Sequence, residues 1–299
     1  MRAFSWFILL ILAALAAMAV LTYPVWLWLH PHYGFPFHRV ADRIGLIALA
    51  IGVALLARRL HLTDRASFGY GAPRALFLRE LALAFVIGAP LMAVIVTVIL
   101  GLGLRQWKPQ LIVSAPLLAH IALTGLARGF AVALIEESFL RGAMFTAIAR
   151  ESGARLAVLL TALIYAASHF VAQYHVDAAQ VGWSSGLVML GGALSAFAHP
   201  LSLADAFLAL FAVGVVLGMV RALTGHIGAC IGLHASWVWV ITFARETSVP
   251  DAASPLSFLV SRFDGVVGWL VLAWTVLAGV GLYFYYSRRG AAALMHRGG

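Results

Sequence analysis

The sequence predicts an all-α polytopic membrane helix bundle of about eight transmembrane helices, with the N- and C-termini in the cytoplasm. Three observations carry that prediction. Of 299 residues, 63% are hydrophobic and only 10% charged, against roughly 25% charged in a soluble domain, and the mean hydropathy is +0.99. The apolar residues gather into eight runs, most of them near the roughly 20 residues that a helix needs to cross a bilayer. The basic residues, 19 arginines and one lysine, fall mostly between those runs.

The first run covers residues 4–23. The apolar stretch Tyr23–Leu29 that follows it favours a retained anchor, although Ala14 to Ala16 has the small-x-small form of a signal cleavage site. The second run, 43–57, is short, and the third is 80–103. The fourth starts at 111, passes residue 135 and continues through two glutamates to about 149. The remaining four are 155–172, 203–220, 227–244 and 265–286. With the N-terminus inside, thirteen basic residues fall on the cytoplasmic side and six on the outer side, with Arg128 inside the fourth run. That ratio sets the orientation by the positive-inside rule.

The net charge of +9 is therefore read against the bilayer, with no nucleic-acid partner. The basic inner loop 58–80, with turn signals at Gly69, Gly71 and Pro73, orients the chain and attracts anionic lipid. Segment 173–202 has no Lys or Arg. Its middle, Gly182 to Phe197, is too short and glycine-rich for a span and fits an interfacial or re-entrant segment, or a plain extracytoplasmic loop. No repeat or polar linker divides the chain, so residues 1–299 are expected to form one membrane domain. Cys230, the sole cysteine, has no partner for a disulfide and reads as a small core residue.

Only two acidic residues, Glu136 and Glu137, lie in the heart of an apolar run. An ionised group at the bilayer centre costs about 2.5–3.5 kcal/mol on insertion scales, so such residues face the bundle interior and mark function. Glu137 and Arg141 are four apart, about 40° around a helix, and are expected to form an ion pair. Glu136 points about 100° away from Glu137 and is left for a substrate, a metal or a water. Tyr165 and His169 share a face of the fifth run, and His234 lies inside the seventh, with His226 near its start. One glutamate with two histidines suffices to bind and deprotonate a water. His120, about 24 Å along the helix from Glu136, reads as packing or interface. His61, His175, His199 and His296 fall in loops or ends. Gly214 with Gly218, and Gly228 with Gly232, are small-residue pairs suited to close helix packing.

Glu-Glu-x-x-x-Arg (Glu136, Glu137, Arg141), aromatic-x-x-x-His (Tyr165, His169) and a membrane histidine after a Thr-Gly turn (Thr224, Gly225, His234) together resemble the CPBP family. These are the CAAX-protease and bacteriocin-processing (Abi) intramembrane proteases. The motifs cover about residues 130–240, within an expected catalytic core of about 111–245. The resemblance implies peptide-bond hydrolysis inside the membrane. Glu136 and His169 would activate the water, Glu137 and Arg141 would support the site, and His234 would polarise the scissile carbonyl. The implied partner is a membrane-associated protein or peptide: a prenylated CAAX peptide, a leader peptide or a C-terminal sorting helix. The implied location is a bacterial-type inner membrane. Two positions depart from the pattern. Tyr165 stands where the family usually has phenylalanine. Val238 stands where it often has an asparagine able to donate to the oxyanion, and Ser236 nearby lies on a different helix face.

Glu136, His169 and His234 could supply three ligands to a divalent metal such as zinc, or act without one; the helical zincin motif is missing. Two other functions use the same residues. One is a catalytically impaired relative that binds a peptide or partner, motivated by Val238. The other is an ion-coupled transporter built on buried ionisable groups.

Overall fold

The computed structural model describes residues 1–171, 176–177 and 180–295. His175, His296, Arg297 and parts of the 173–202 segment lie outside them. Among the described residues ten α-helices run in the order α1 (Arg2–Tyr33), α2 (Phe37–Ala57), α3 (Arg74–Gly101), α4 (Ala115–Glu137), α5 (Phe145–Ser152), α6 (Ala154–Val171), α7 (Ser185–Ser195), α8 (Pro200–Thr224), α9 (Gly228–Thr247) and α10 (Trp269–Met295). A π-helical stretch, Ser138–Met144, joins α4 to α5, so that Ala115–Ser152 is one helical rod of 38 residues. Among the described residues, six helical segments are long and apolar enough to cross a membrane: α1, α2, α3, the α4–α5 rod, α8 and α10. The apolar part of α6, Ala154–Phe170, is shorter.

The helix limits follow local chemistry. Gly34 closes α1 in the left-handed conformation, φ 65°, with its N–H donated to the His30 carbonyl. Ser114 caps α4 by accepting the Leu117 N–H, so the fourth run becomes helical at Ala115 rather than at 111. Gly225, φ 75°, closes α8 and turns the chain into α9.

Helix α9 is the central element. Every residue from Gly228 to Trp237 is buried, as expected of a helix that is apolar or small on all sides. It lies between α3 and α4, while α8 lies between α6 and α10. Glycines set these approaches. A Cβ on Gly232 would stand 2.2 Å from the Leu81 carbonyl oxygen in α3, and one on Gly129 would stand 2.5 Å from that of Ala235. Gly214 and Gly218 of α8 face Ala162 and Val158 of α6. The two glycine pairs read from sequence thus serve different partners, α6 for the first and α3 for the second.

The ends of the helices form two faces. On one, the amino group of Met1 meets Glu151, Arg150 reaches the His61 carbonyl and the Ser67 hydroxyl, and Arg289 forks onto both oxygens of Glu80. Asp64 accepts from the Ser67 hydroxyl and N–H, bonds that hold its carboxyl below the usual range. On the other face is an antiparallel pair, β1 (Arg105–Trp107) and β2 (Ser248–Pro250), which the all-α expectation did not contain. It forms because buried Arg105 donates to the Ser248 hydroxyl and carbonyl and to the Gly265 carbonyl, pinning the two loops together. The 173–202 segment contributes α7, whose Gly186 sits against the Ala19 carbonyl of α1.

Candidate active site

Helix α4 delivers Glu136 and Glu137 at its end, where the backbone changes from α to π. Such π turns are rare and often occur at functional positions, because they widen the helix and release backbone groups. Here the Arg141 carbonyl accepts the Nε–H of Arg221 from the end of α8, at 3.0 Å.

Glu137 and Arg141 are fully buried. Arg141 Nη1 donates to Glu137 Oε1 at 2.9 Å and Nη2 to the Gly214 carbonyl at 3.1 Å. The guanidinium lies over the Tyr165 ring, 4.8 Å from its centre, in cation–π geometry. His234 Nδ1 reaches the same oxygen, Glu137 Oε1, at 2.8 Å. The sequence spacing anticipated the Glu137–Arg141 pair but not this second bond, which joins residues 97 positions apart. An ionised carboxylate only accepts, so Nδ1 of His234 carries the proton, and in the neutral ring Nε2 is an acceptor.

Glu136 is half-buried and has one oxygen, Oε2, enclosed without a hydrogen-bond partner. Its charge lies within electrostatic reach of the Tyr165 hydroxyl. His169, also half-buried, holds the Tyr165 carbonyl through Nδ1 at 2.8 Å. A carbonyl has no proton to give, so Nδ1 is protonated and the lone pair is on Nε2. Among the described residues no hydrogen bond joins Glu136 to His169 or His234. What links the two histidines is the Tyr165 ring, 4.6 Å from the His169 ring and 5.8 Å from that of His234.

Tyr165 is therefore more central than its place in the motif implied. The backbone oxygen of Gly214 and the side chain of Arg221 were read only as packing and as topology, and both are partners of Arg141. Ser236 is turned away: its hydroxyl is donated to the Leu233 carbonyl and sits against Gly88 of α3. His120 is exposed on α4. Among the described residues no group of three or more His, Cys, Asp and Glu side chains is arranged to hold a metal ion. The Nδ1 bonds of His169 and His234 leave each Nε2 with its lone pair, the state in which an imidazole can take a proton or ligate a metal.

Membrane-length helices enclosing a buried carboxylate, guanidinium and imidazole define an integral membrane protein with an ionisable centre. Residues 116–240 match the family model of type II CAAX prenyl endopeptidase Rce1-like proteins, a match that agrees with the CAAX-protease (CPBP) resemblance carried by the motifs. All eight motif residues, Tyr165 among them, and Val238 lie inside that stretch. No curated protein and no solved structure matches the chain.

Proposed function

We propose that the protein is an intramembrane endopeptidase that hydrolyses a peptide bond of a membrane-associated protein or peptide. The observation that carries this reading is the contrast between the two glutamates. Glu137 is fully buried and its Oε1 is clamped by Arg141 and His234, whereas Glu136 is half-buried and, among the described residues, neither of its oxygens is held in a hydrogen bond; each carboxylate keeps one enclosed Oε2 without a partner. A clamped carboxylate orients; an uncommitted one accepts a proton. Glu136 acts as general base toward water, and His169, with its lone pair on Nε2, shares and relays that proton. Glu137 and Arg141 hold His234 and Tyr165 in place. The catalytic core is about 111–245 within one membrane domain, crossed by eight spans with both termini cytoplasmic, in a bacterial-type inner membrane. The family match supports a CAAX-type substrate, prenylated or otherwise membrane-bound.

The test is cleavage by purified protein in proteoliposomes of three fluorogenic probes: a prenylated CAAX peptide, a leader peptide and a C-terminal sorting helix. Glu136→Ala and His169→Ala are expected to lose at least roughly 10²-fold in kcat, the scale of general-base catalysis. Variants that cleave like wild type overturn the assignment. Val238 favours one second reading, a peptide-binding relative without catalysis, in which cellular function survives Glu136→Gln.

A further inference from the structure

Hydrolysis needs a hydrogen-bond donor aimed at the carbonyl oxygen as negative charge grows on it. The centre is short of donors. Glu136 accepts, and the bonds that His169 and His234 make through Nδ1 leave acceptors at both Nε2 atoms in the neutral rings. Both Arg141 Nη atoms are engaged and its Nε is enclosed. Ser236 gives its proton to Leu233 and Cys230 gives its own to Leu217. Val238, one helical turn beyond His234, has no polar side-chain atom.

Tyr165 remains. Its ring is 4% exposed and fixed by Arg141 on one face and by two imidazoles edge-on. Buried tyrosine hydroxyls normally find a partner. This one has no acceptor among the described residues. Nor is it one of the enclosed unpartnered atoms, which are Glu136 Oε2, Glu137 Oε2 and Arg141 Nε, so its oxygen keeps a small accessible surface, within electrostatic reach of Glu136. We propose that the Tyr165 hydroxyl is the donor to the scissile carbonyl oxygen, in place of the amide missing at Val238. The assignment rests on the protease reading. Water loses a proton to Glu136 as its oxygen bonds to the carbonyl carbon, and the carbonyl π pair moves onto oxygen. The Tyr165 O–H binds that oxyanion and keeps its own proton. When the C–N bond breaks, its electron pair takes the proton held by Glu136, leaving an amine and a carboxylic acid.

The experiment compares wild type, Tyr165→Phe, Val238→Asn and the double variant on the same three probes. Tyr165→Phe is expected to lower kcat roughly 10²–10³-fold, the loss typical of one oxyanion donor. KM and the unfolding midpoint should stay near wild type, since the hydroxyl holds nothing in the protein. Val238→Asn in the Tyr165→Phe background should recover at least about tenfold in kcat. If Tyr165→Phe retains its kcat, or if the double variant recovers nothing, the donor assignment is overturned while the protease reading stands. A wild type that cleaves none of the probes overturns both.

Discussion

At Glu137 a single oxygen takes hydrogen bonds from a guanidinium and an imidazole, with no exposure to solvent. Desolvating such a pair is costly, and removing one partner leaves an uncompensated buried charge, worth about 3–5 kcal/mol. Arg141→Ala is therefore expected to lower stability by about that much, measured as the unfolding midpoint in mild detergent. It should also disorder His234 and Tyr165, so activity falls with the fold. Glu137→Gln leaves an amide able to accept from both neighbours, and a smaller loss is expected. Equal losses for the two variants would show that the pair contributes no charge-specific stabilisation. The glutamates and Arg141 were legible in the sequence because charge is rare inside apolar runs. The bond from His234 was not, because spacing along one helix carries no information about the neighbour of a residue on another. Tyr165 was visible as the helical neighbour of His169, but its role was not, since nothing in a sequence shows that a hydroxyl lacks a partner.

The helices themselves were well marked by apolar runs, and most limits moved only by the length of a cap or a polar end turn. Two elements were not marked. The π turn at Ser138–Met144 needs tertiary partners for the groups it frees, and Arg221 supplies one. The β1–β2 pair depends on Arg105 bridging loops 143 residues apart. The contact of α6 with α8 was legible as the pair Gly214 and Gly218, and it is testable. A Cβ on Gly214 would lie 2.8 Å from the Ala162 Cα, where neither backbone can yield without moving a helix. Gly214→Ala is expected to destabilise by about 1–3 kcal/mol, as overpacking does, and to reduce activity by shifting the carbonyl that Arg141 holds. Gly191→Ala in α7, where an added Cβ meets nothing within 4 Å, should stabilise by about 0.5–1 kcal/mol through helix propensity. Thermal unfolding of both variants decides the matter, and equal shifts would mean that α6 and α8 are not in close contact.

At the level of the whole molecule, the alternation of loops that the basic residues imply agrees with how the helix ends meet. Met1, the 58–73 loop, the end of α5 and the end of α10 share one face through Glu151, Arg150 and the Glu80–Arg289 fork. Loops 102–114 and 248–268 share the other through Arg105. An odd number of crossings between Met1 and Arg289 would have parted these ends. Which face is cytoplasmic is a matter of charge, because retaining arginines inside is what fixes orientation on insertion. Cys230 makes the question easy to test, since the only cysteine is fully buried and its thiol is donated to the Leu217 carbonyl. Single new cysteines at exposed positions can then be labelled without background. With a membrane-impermeant maleimide added to intact cells, Ala252→Cys is expected to label and Thr63→Cys to label only after the membrane is opened. The reverse pattern would invert the molecule and put the basic 58–73 loop outside. Labelling of both in intact cells would break the shared-face arrangement itself. The proposed orientation also bears on the side from which the proposed substrate arrives. Glu136 ends α4, which enters from the Arg105 face, and only the π turn and α5 separate it from the Met1 face. In the orientation proposed above, Glu136 lies just past the middle of the Ala115–Ser152 rod, slightly nearer its cytoplasmic end, and the proposed substrate is a peptide anchored in the inner leaflet.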